Sequence, residues 1–245
     1  MTALIIMKRD VQLFEYLHAC KVATTKQINR DIFKTCHATC YQRLQKYLEK
    51  KFLQVVPTDR QRDQSYAYEV TKKGEKIIKA NIRDLLCENR FRSNSVAHDL
   101  TLVDIRNILM SKNDVKEYFT ENQIQTYKDF RTEKDLIPFQ ELQCDAGIMI
   151  QRGDANPLYI GVEYESSAKS RSRYLDKIGS LYYNGPVYLI YICKDKSLIK
   201  KLKKIETIYI QNRAPKIFYI TLSEFLESKD SVTFTRQDGK SICLS

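Results

Sequence analysis

Apolar residues recur at helical spacing from the start of the chain. Val11, Phe14, Leu17 and His18 share one face of a helix over residues 9–19. Thr24 or Thr25 can cap a second helix, KQINRDIF, by accepting a backbone hydrogen bond on its side-chain oxygen. A third pattern, His37 to Lys50, turns Tyr41, Leu44, Tyr47 and Leu48 inward and leaves Gln42, Arg43, Gln45, Lys46 and Lys50 outside. The period then shortens to alternation. LQVVP (53–57) and SYAYEVT (65–71) read as strands joined by TDRQRDQ, and Thr71 opens a closing helix, TKKGEKIIKA. Residues 82–95 are polar and charged with little Gly or Pro, which predicts a junction with helical character between a domain at 1–85 and one at 86–245.

Beyond the junction, residues 96–111 return to helical spacing. LQCDAGIMIQ (142–151) and PLYIGVEYES (157–166) read as strands around the turn-like RGDANP. Residues 167–184 form a helix with Lys169, Arg171, Arg173 and Lys177 among its polar positions. PVYLIYIC (186–193) is an unbroken apolar run, the mark of a strand buried on both faces. A basic helix from residue 195, a strand at 216–221, a short helix and a final strand segment complete the chain. The fold class is α/β, with a mixed sheet flanked by helices following the smaller helical N-terminal domain.

The 142–166 segment carries the chemistry. A hairpin centred near Asp154 sets Asp145 opposite Glu163, and Glu165 points the same way as Glu163. Opposed like charges destabilise a strand pair, so three carboxylates on one face need a cation or open water. A hard divalent ion such as Mg2+ takes oxygen ligands of this kind together with waters and phosphate. Gly147 and Gly161 fall on the acidic face, where glycine often marks the close approach of a ligand or another backbone. Leu158, Ile160, Val162 and Tyr164 give the strand its buried side. The plainer reading is the solvated side of an antiparallel edge.

Composition narrows the partner. The 245 residues are 43% hydrophobic, enough for a core. They hold 41 Lys and Arg against 30 Asp and Glu, a formal charge of +11, which favours a polyanionic partner. No segment approaches the roughly 20 apolar residues that span a bilayer, and ALIIM is too short for a signal core, so a cytoplasmic protein without membrane insertion is expected. The seven cysteines include no CxxC pair. Cys36 and Cys40, with His37 between them and Cys20 upstream, allow a zinc site, against the commoner role of buried thiols. There is no Gly-rich phosphate loop and no His-x-His pair. Tyr182 and Tyr183 are a candidate nucleophile pair or simply core. His98 is a candidate to orient a water, against a packed or capping role.

Three helices followed by a hairpin with a basic tip make a winged helix-turn-helix pattern, and EVTKKGEKII resembles the end of the wing in many bacterial winged-helix proteins. On that pattern Gln42, Arg43 and Lys46 face the major groove, and Arg60 and Arg62 meet backbone phosphates. An Asp, an ExE after a hairpin, a basic helix and a buried strand together resemble the PD-(D/E)xK restriction-endonuclease-like fold. Asp145 matches its first acid and Glu163 its second. Glu165 stands where the motif lysine is usual, and Cys144 where a proline precedes the first acid. In many members a basic residue of the neighbouring helix replaces the lysine, which points to Lys177 ahead of Lys169. The whole chain resembles the replication-relaxation proteins, and within them the MOBC-type relaxases of mobilizable plasmids. That resemblance implies nicking of supercoiled, double-stranded plasmid DNA at the transfer origin, with a conjugative coupling protein as partner. It implies Asp145 and Glu163 as direct ligands of Mg2+ or Mn2+, Glu165 as a third ligand or the holder of a metal-bound water, Lys177 as the catalytic cation, and Lys169, Arg171 and Arg173 on DNA. A non-catalytic DNA-binding regulator is the alternative.

Overall fold

A computed structural model of the chain describes residues 5–58, 66–82, 95–186, 188–210 and 213–245. It divides into two compact units, residues 1–107 with 126–128, and 108–125 with 129–245.

The first unit begins with α1 (Lys8–Cys20), β1 (Ala23–Thr24) and α2 (Thr25–Ile28), which runs on into a π-helical turn (Asn29–Phe33). Then come α3 (His37–Glu49), β2 (Leu53–Val56), β3 (Ala67–Val70), α4 (Lys72–Ile82) and α5 (Val96–Met110). Thr24 caps α2 reciprocally: its hydroxyl accepts from the Gln27 amide, and the Gln27 side chain reaches back to the Thr24 N–H. The three strands form an antiparallel sheet in the order β1-β3-β2. Leu13, Phe14, Leu17, Leu44, Tyr47 and Tyr68 fill the core beneath it. On α3 the inward stripe is Cys40, Leu44 and Tyr47, whereas Tyr41, expected inside, is 37% exposed. Helix α5, assigned to the second domain on sequence, packs in the first unit as far as Asn107. Polar ties explain this, because Lys21 pairs with Asp99 at 3.1 Å and the Gln27 amide donates to Leu100 O at 2.7 Å.

The second unit is a seven-stranded mixed sheet. Its elements are β4 (Val115–Thr120), α6 (Glu121–Thr126), α7 (Asp129–Thr132), α8 (Ile137–Glu141), β5 (Ala146–Ile150) and β6 (Leu158–Glu165). Helix α9 (Arg171–Tyr183), β7 (Tyr188–Cys193), α10 (Lys196–Glu206) and β8 (Ile217–Thr221) follow, then α11 (Leu222–Glu227), β9 (Val232–Thr235) and β10 (Ser241–Leu244). Strand order is β10-β9-β8-β7-β6-β5-β4. The central strands β6, β7 and β8 run parallel, each step made by a helical crossover, and antiparallel pairs flank them. Strand β4 and the three short helices after it lie between residues 112 and 141, for which the sequence pattern predicts no element.

The hairpin has the register expected of it. Ala146 pairs with Val162 and Gly147 with Gly161, so the two strands fold about Asp154. One expectation fails: β6 lies in the sheet interior, and its acidic face is covered as thoroughly as its apolar one, with Glu163 2% and Glu165 3% exposed. The solvated-edge reading falls with it. The glycines on that face admit neighbouring side chains rather than an incoming ligand. An added Cβ at Gly147 would lie 2.8 Å from the Phe139 ring, and one at Gly161 would lie 2.7 Å from Leu189 Cδ1. Phe139 is itself wedged against Phe119, Phe130 and Tyr159 and cannot give way. Gly147→Ala is therefore expected to destabilise the second unit by about 1–3 kcal/mol, the usual range for overpacking a filled core. A shift of the urea unfolding midpoint measures it, and an unchanged midpoint would contradict the packing described.

Candidate functional site

Each charged group of the candidate site is placed by a distinct local cause. One step beyond the Ala146–Val162 pair, the hairpin register carries Asp145 across from Glu163. The Glu163 carboxylate accepts the Asp145 N–H on Oε1 at 3.3 Å, and Asp145 Oδ2 accepts the Tyr164 N–H at 2.9 Å. The Ser170 hydroxyl caps α9 by accepting from the Arg173 N–H. The helix thus starts at Arg171 and carries Lys177 back over the sheet. Lys177 Nζ donates to Glu163 Oε2 at 2.6 Å and to Gln143 O at 3.1 Å. Asp145, Glu163 and Lys177 are therefore brought together.

The electrostatics follow from burial. Desolvation pushes the Glu163 carboxyl up, to about 7, with neighbouring Asp145 adding to the rise and Lys177 opposing it. Lys177 is held above the usual lysine range, because the pull of Glu163 and Asp145 outweighs its own desolvation. The cation expected to compensate the acids is in part an ammonium supplied by the protein.

Glu165 departs from the expected trio. Its Oε2 pairs with Lys169 at 3.2 Å, four residues on, and Lys169 O in turn accepts from Lys201 Nζ at 2.9 Å. Among the described residues, no group of three or more His, Cys, Asp or Glu side chains is gathered as a metal ion requires. The acids form a pair, Asp145 and Glu163, with Glu165 drawn aside by its own lysine. A pair of hard carboxylate oxygens still suits Mg2+ or Mn2+, which bind through one or two carboxylates and complete their shells with water and phosphate.

The remaining predicted residues are placed as follows. Arg171 and Arg173 are exposed on the first turn of α9, and Gln42 and Lys46 are exposed on α3. Arg43 is not an outward residue. Its guanidinium pairs with Asp10, which is 1% exposed and also accepts from the Tyr47 hydroxyl and, at 2.8 Å, from the Met7 N–H. Arg60 and Arg62 lie outside the described residues. His98 is on the α5 segment of the first unit, not in the unit that carries the acids. Cys36 is exposed with its sulfur against the Thr39 hydroxyl, while Cys40 is buried and faces Thr25 O, and among the described residues no zinc-type cluster gathers around them. Tyr182 donates to Glu206 at 2.6 Å inside the core, and Tyr183 is exposed with the Arg213 guanidinium over its ring.

Two buried polar residues are not singled out by the sequence pattern. Asp10 sits among apolar residues in a helix, and its spacing from Phe14 and Leu17 was the available signal. Tyr191 is in register with Glu163 on the adjacent parallel strand, yet it reads simply as part of an apolar run.

Residues 14–179 match the family model described as replication-relaxation. No curated protein and no solved structure matches the chain.

Two outcomes are expected from this geometry. Burial sets the folded Glu163 carboxyl above its ordinary, unfolded value of 4.5. Its contribution to stability is complete below the lower value and is lost as pH rises through the upper one. Without divalent cations, the wild type should lose stability relative to Glu163→Gln between pH 5 and pH 8 in urea titrations; a flat difference would contradict the burial of a charged Glu163. Arg43→Ala should cost the first unit about 2 kcal/mol, the scale of a hydrogen-bonded buried charge losing a partner, while Lys46→Ala should cost almost nothing. Equal unfolding midpoints for the two variants would return Arg43 to the outer face.

Proposed function

The chain belongs to the replication-relaxation family, whose model spans well over half of it, and from that premise we propose a metal-dependent DNA endonuclease, a relaxase that nicks supercoiled plasmid DNA at the origin of transfer. The observation that carries this reading is the convergence of Asp145, Glu163 and Lys177 where β5, β6 and α9 meet. Two carboxylates and a lysine are the set that the PD-(D/E)xK resemblance requires. The lysine comes from the helix after the second acid instead of from the position held by Glu165.

On this reading Asp145 and Glu163 hold Mg2+ or Mn2+. Bound there, such an ion would supply Lewis-acid charge to a scissile phosphate. Lys177, fixed by Glu163 and Gln143 O, places a positive charge where negative charge develops as the phosphodiester breaks. Glu165 anchors Lys169, and with Arg171 and Arg173 this forms a cationic approach for the DNA backbone. In the first unit, the order of helices and antiparallel strands supports a winged helix-turn-helix. Gln42 and Lys46 of α3 would then read the major groove, and Arg60 and Arg62 would grip phosphates. The excess of 41 basic over 30 acidic residues fits a polyanionic partner. Transfer of the nicked strand to a conjugative coupling protein completes the proposal.

One observation favours a second reading. Lys177 and Lys169 already balance Glu163 and Glu165, as they would in a DNA-binding regulator that keeps the fold without the reaction. A nicking assay on supercoiled plasmid carrying its transfer origin, with Mg2+ or Mn2+, separates the two. Asp145→Asn, Glu163→Gln and Lys177→Met are each expected to lower the nicking rate by about 100-fold or more, the scale for losing one preorganised charge. Origin binding without any cation-dependent nicking would establish the regulator instead.

A further inference from the structure

The sheet face that bears the acid pair continues as a polar row. Next to Glu163 on the parallel neighbour β7 stands Tyr191, and next to Tyr191 on β8 stands Tyr219. The two tyrosine rings stack, with centroids 6.3 Å apart and planes 14° from parallel. Their hydroxyls fare differently. Tyr219 donates to Glu206 at 3.0 Å, whereas the Tyr191 hydroxyl, on a residue 1% exposed, has no hydrogen-bond partner among the described residues. A buried donor without an acceptor costs stability, and phenylalanine would fill the same space without that penalty.

The groups around this hydroxyl identify what it serves. Burial first, and then Glu163, Glu165, Asp145 and the Tyr174 phenol, favour its protonated form. It is held as a neutral donor among carboxylates that it does not touch. A water-sized oxygen between them would accept from the phenol while meeting the acids.

We propose that Tyr191 is a positioning residue of the acid site, its hydroxyl donating to the solvent oxygen that a divalent cation brings against Asp145 and Glu163. The assignment rests on the metal-dependent reading above. It adds a protein donor that orients the solvent molecule from the sheet side, opposite Lys177 on the helix side. Hydrogen-bond partners one step removed from a metal commonly set its affinity within a factor of 10–100.

Tyr191→Phe removes one oxygen and keeps the ring stack, so it tests the proposal without emptying the core. In the absence of divalent cations, the variant is expected to unfold at the wild-type temperature or above it, since no protein hydrogen bond is lost. Titration with Mn2+, followed by the electron paramagnetic resonance of the free ion, should show roughly 10–100-fold weaker binding in the variant. A Tyr191→Phe protein that is less stable without metal would make the hydroxyl structural and overturn the inference. So would wild-type Mn2+ affinity in Tyr191→Phe when Asp145→Asn abolishes binding, an outcome that leaves the metal-dependent reading intact. A wild-type protein that binds no Mn2+ would overturn both together.

Discussion

The ion pair between Glu163 and Lys177 is the constraint on which the second unit's chemistry depends. A carboxylate 2% exposed in the middle of a mixed sheet cannot stay charged without a partner. The ammonium that answers it comes from α9, whose start is fixed by the Ser170 cap. Cap, helix and crossover thus determine where the positive charge falls. Below them, the Phe119–Gly147–Gly161–Leu189 row seals the sheet with apolar side chains beside the row that bears the acids. The pair is consequently held in a low-dielectric setting, where charges interact strongly and a phosphate would feel both signs at close range.

The first unit uses a buried charge in a different manner. Asp10 gathers Arg43, Tyr47 and the Met7 N–H at the junction of α1 and α3. It fixes how the two helices meet, and so which side of α3 faces outward. Charge in one unit serves architecture, and in the other it assembles a reactive-looking constellation. The replication-relaxation membership spans both.

How far the sequence could be read follows from the range of each interaction. The hairpin register was legible because alternation and a Gly-Asp-Ala-Asn-Pro turn are local, and they set Asp145 across from Glu163. The short Thr24 cap and the apolar β7 run were legible for the same reason. Lys177 was indicated by resemblance, not by spacing, since helical periodicity alone does not say which lysine reaches the sheet. Arg43 was misplaced because its partner Asp10 lies 33 residues away, beyond any local pattern. Glu165 was grouped with the other acids by strand parity, which is correct for the face but blind to a lysine four residues on. Strand β4 escaped because VKEYFT neither alternates cleanly nor forms an apolar run.

We propose that Asp145 and Glu163 share a divalent cation. Anomalous diffraction from a crystal of the protein soaked in Mn2+ addresses it directly. One anomalous peak is expected within coordination distance of both carboxylates, with Lys177 still beside Glu163. An acid pair without a peak, in a crystal that shows Mn2+ bound elsewhere or not at all, would contradict it.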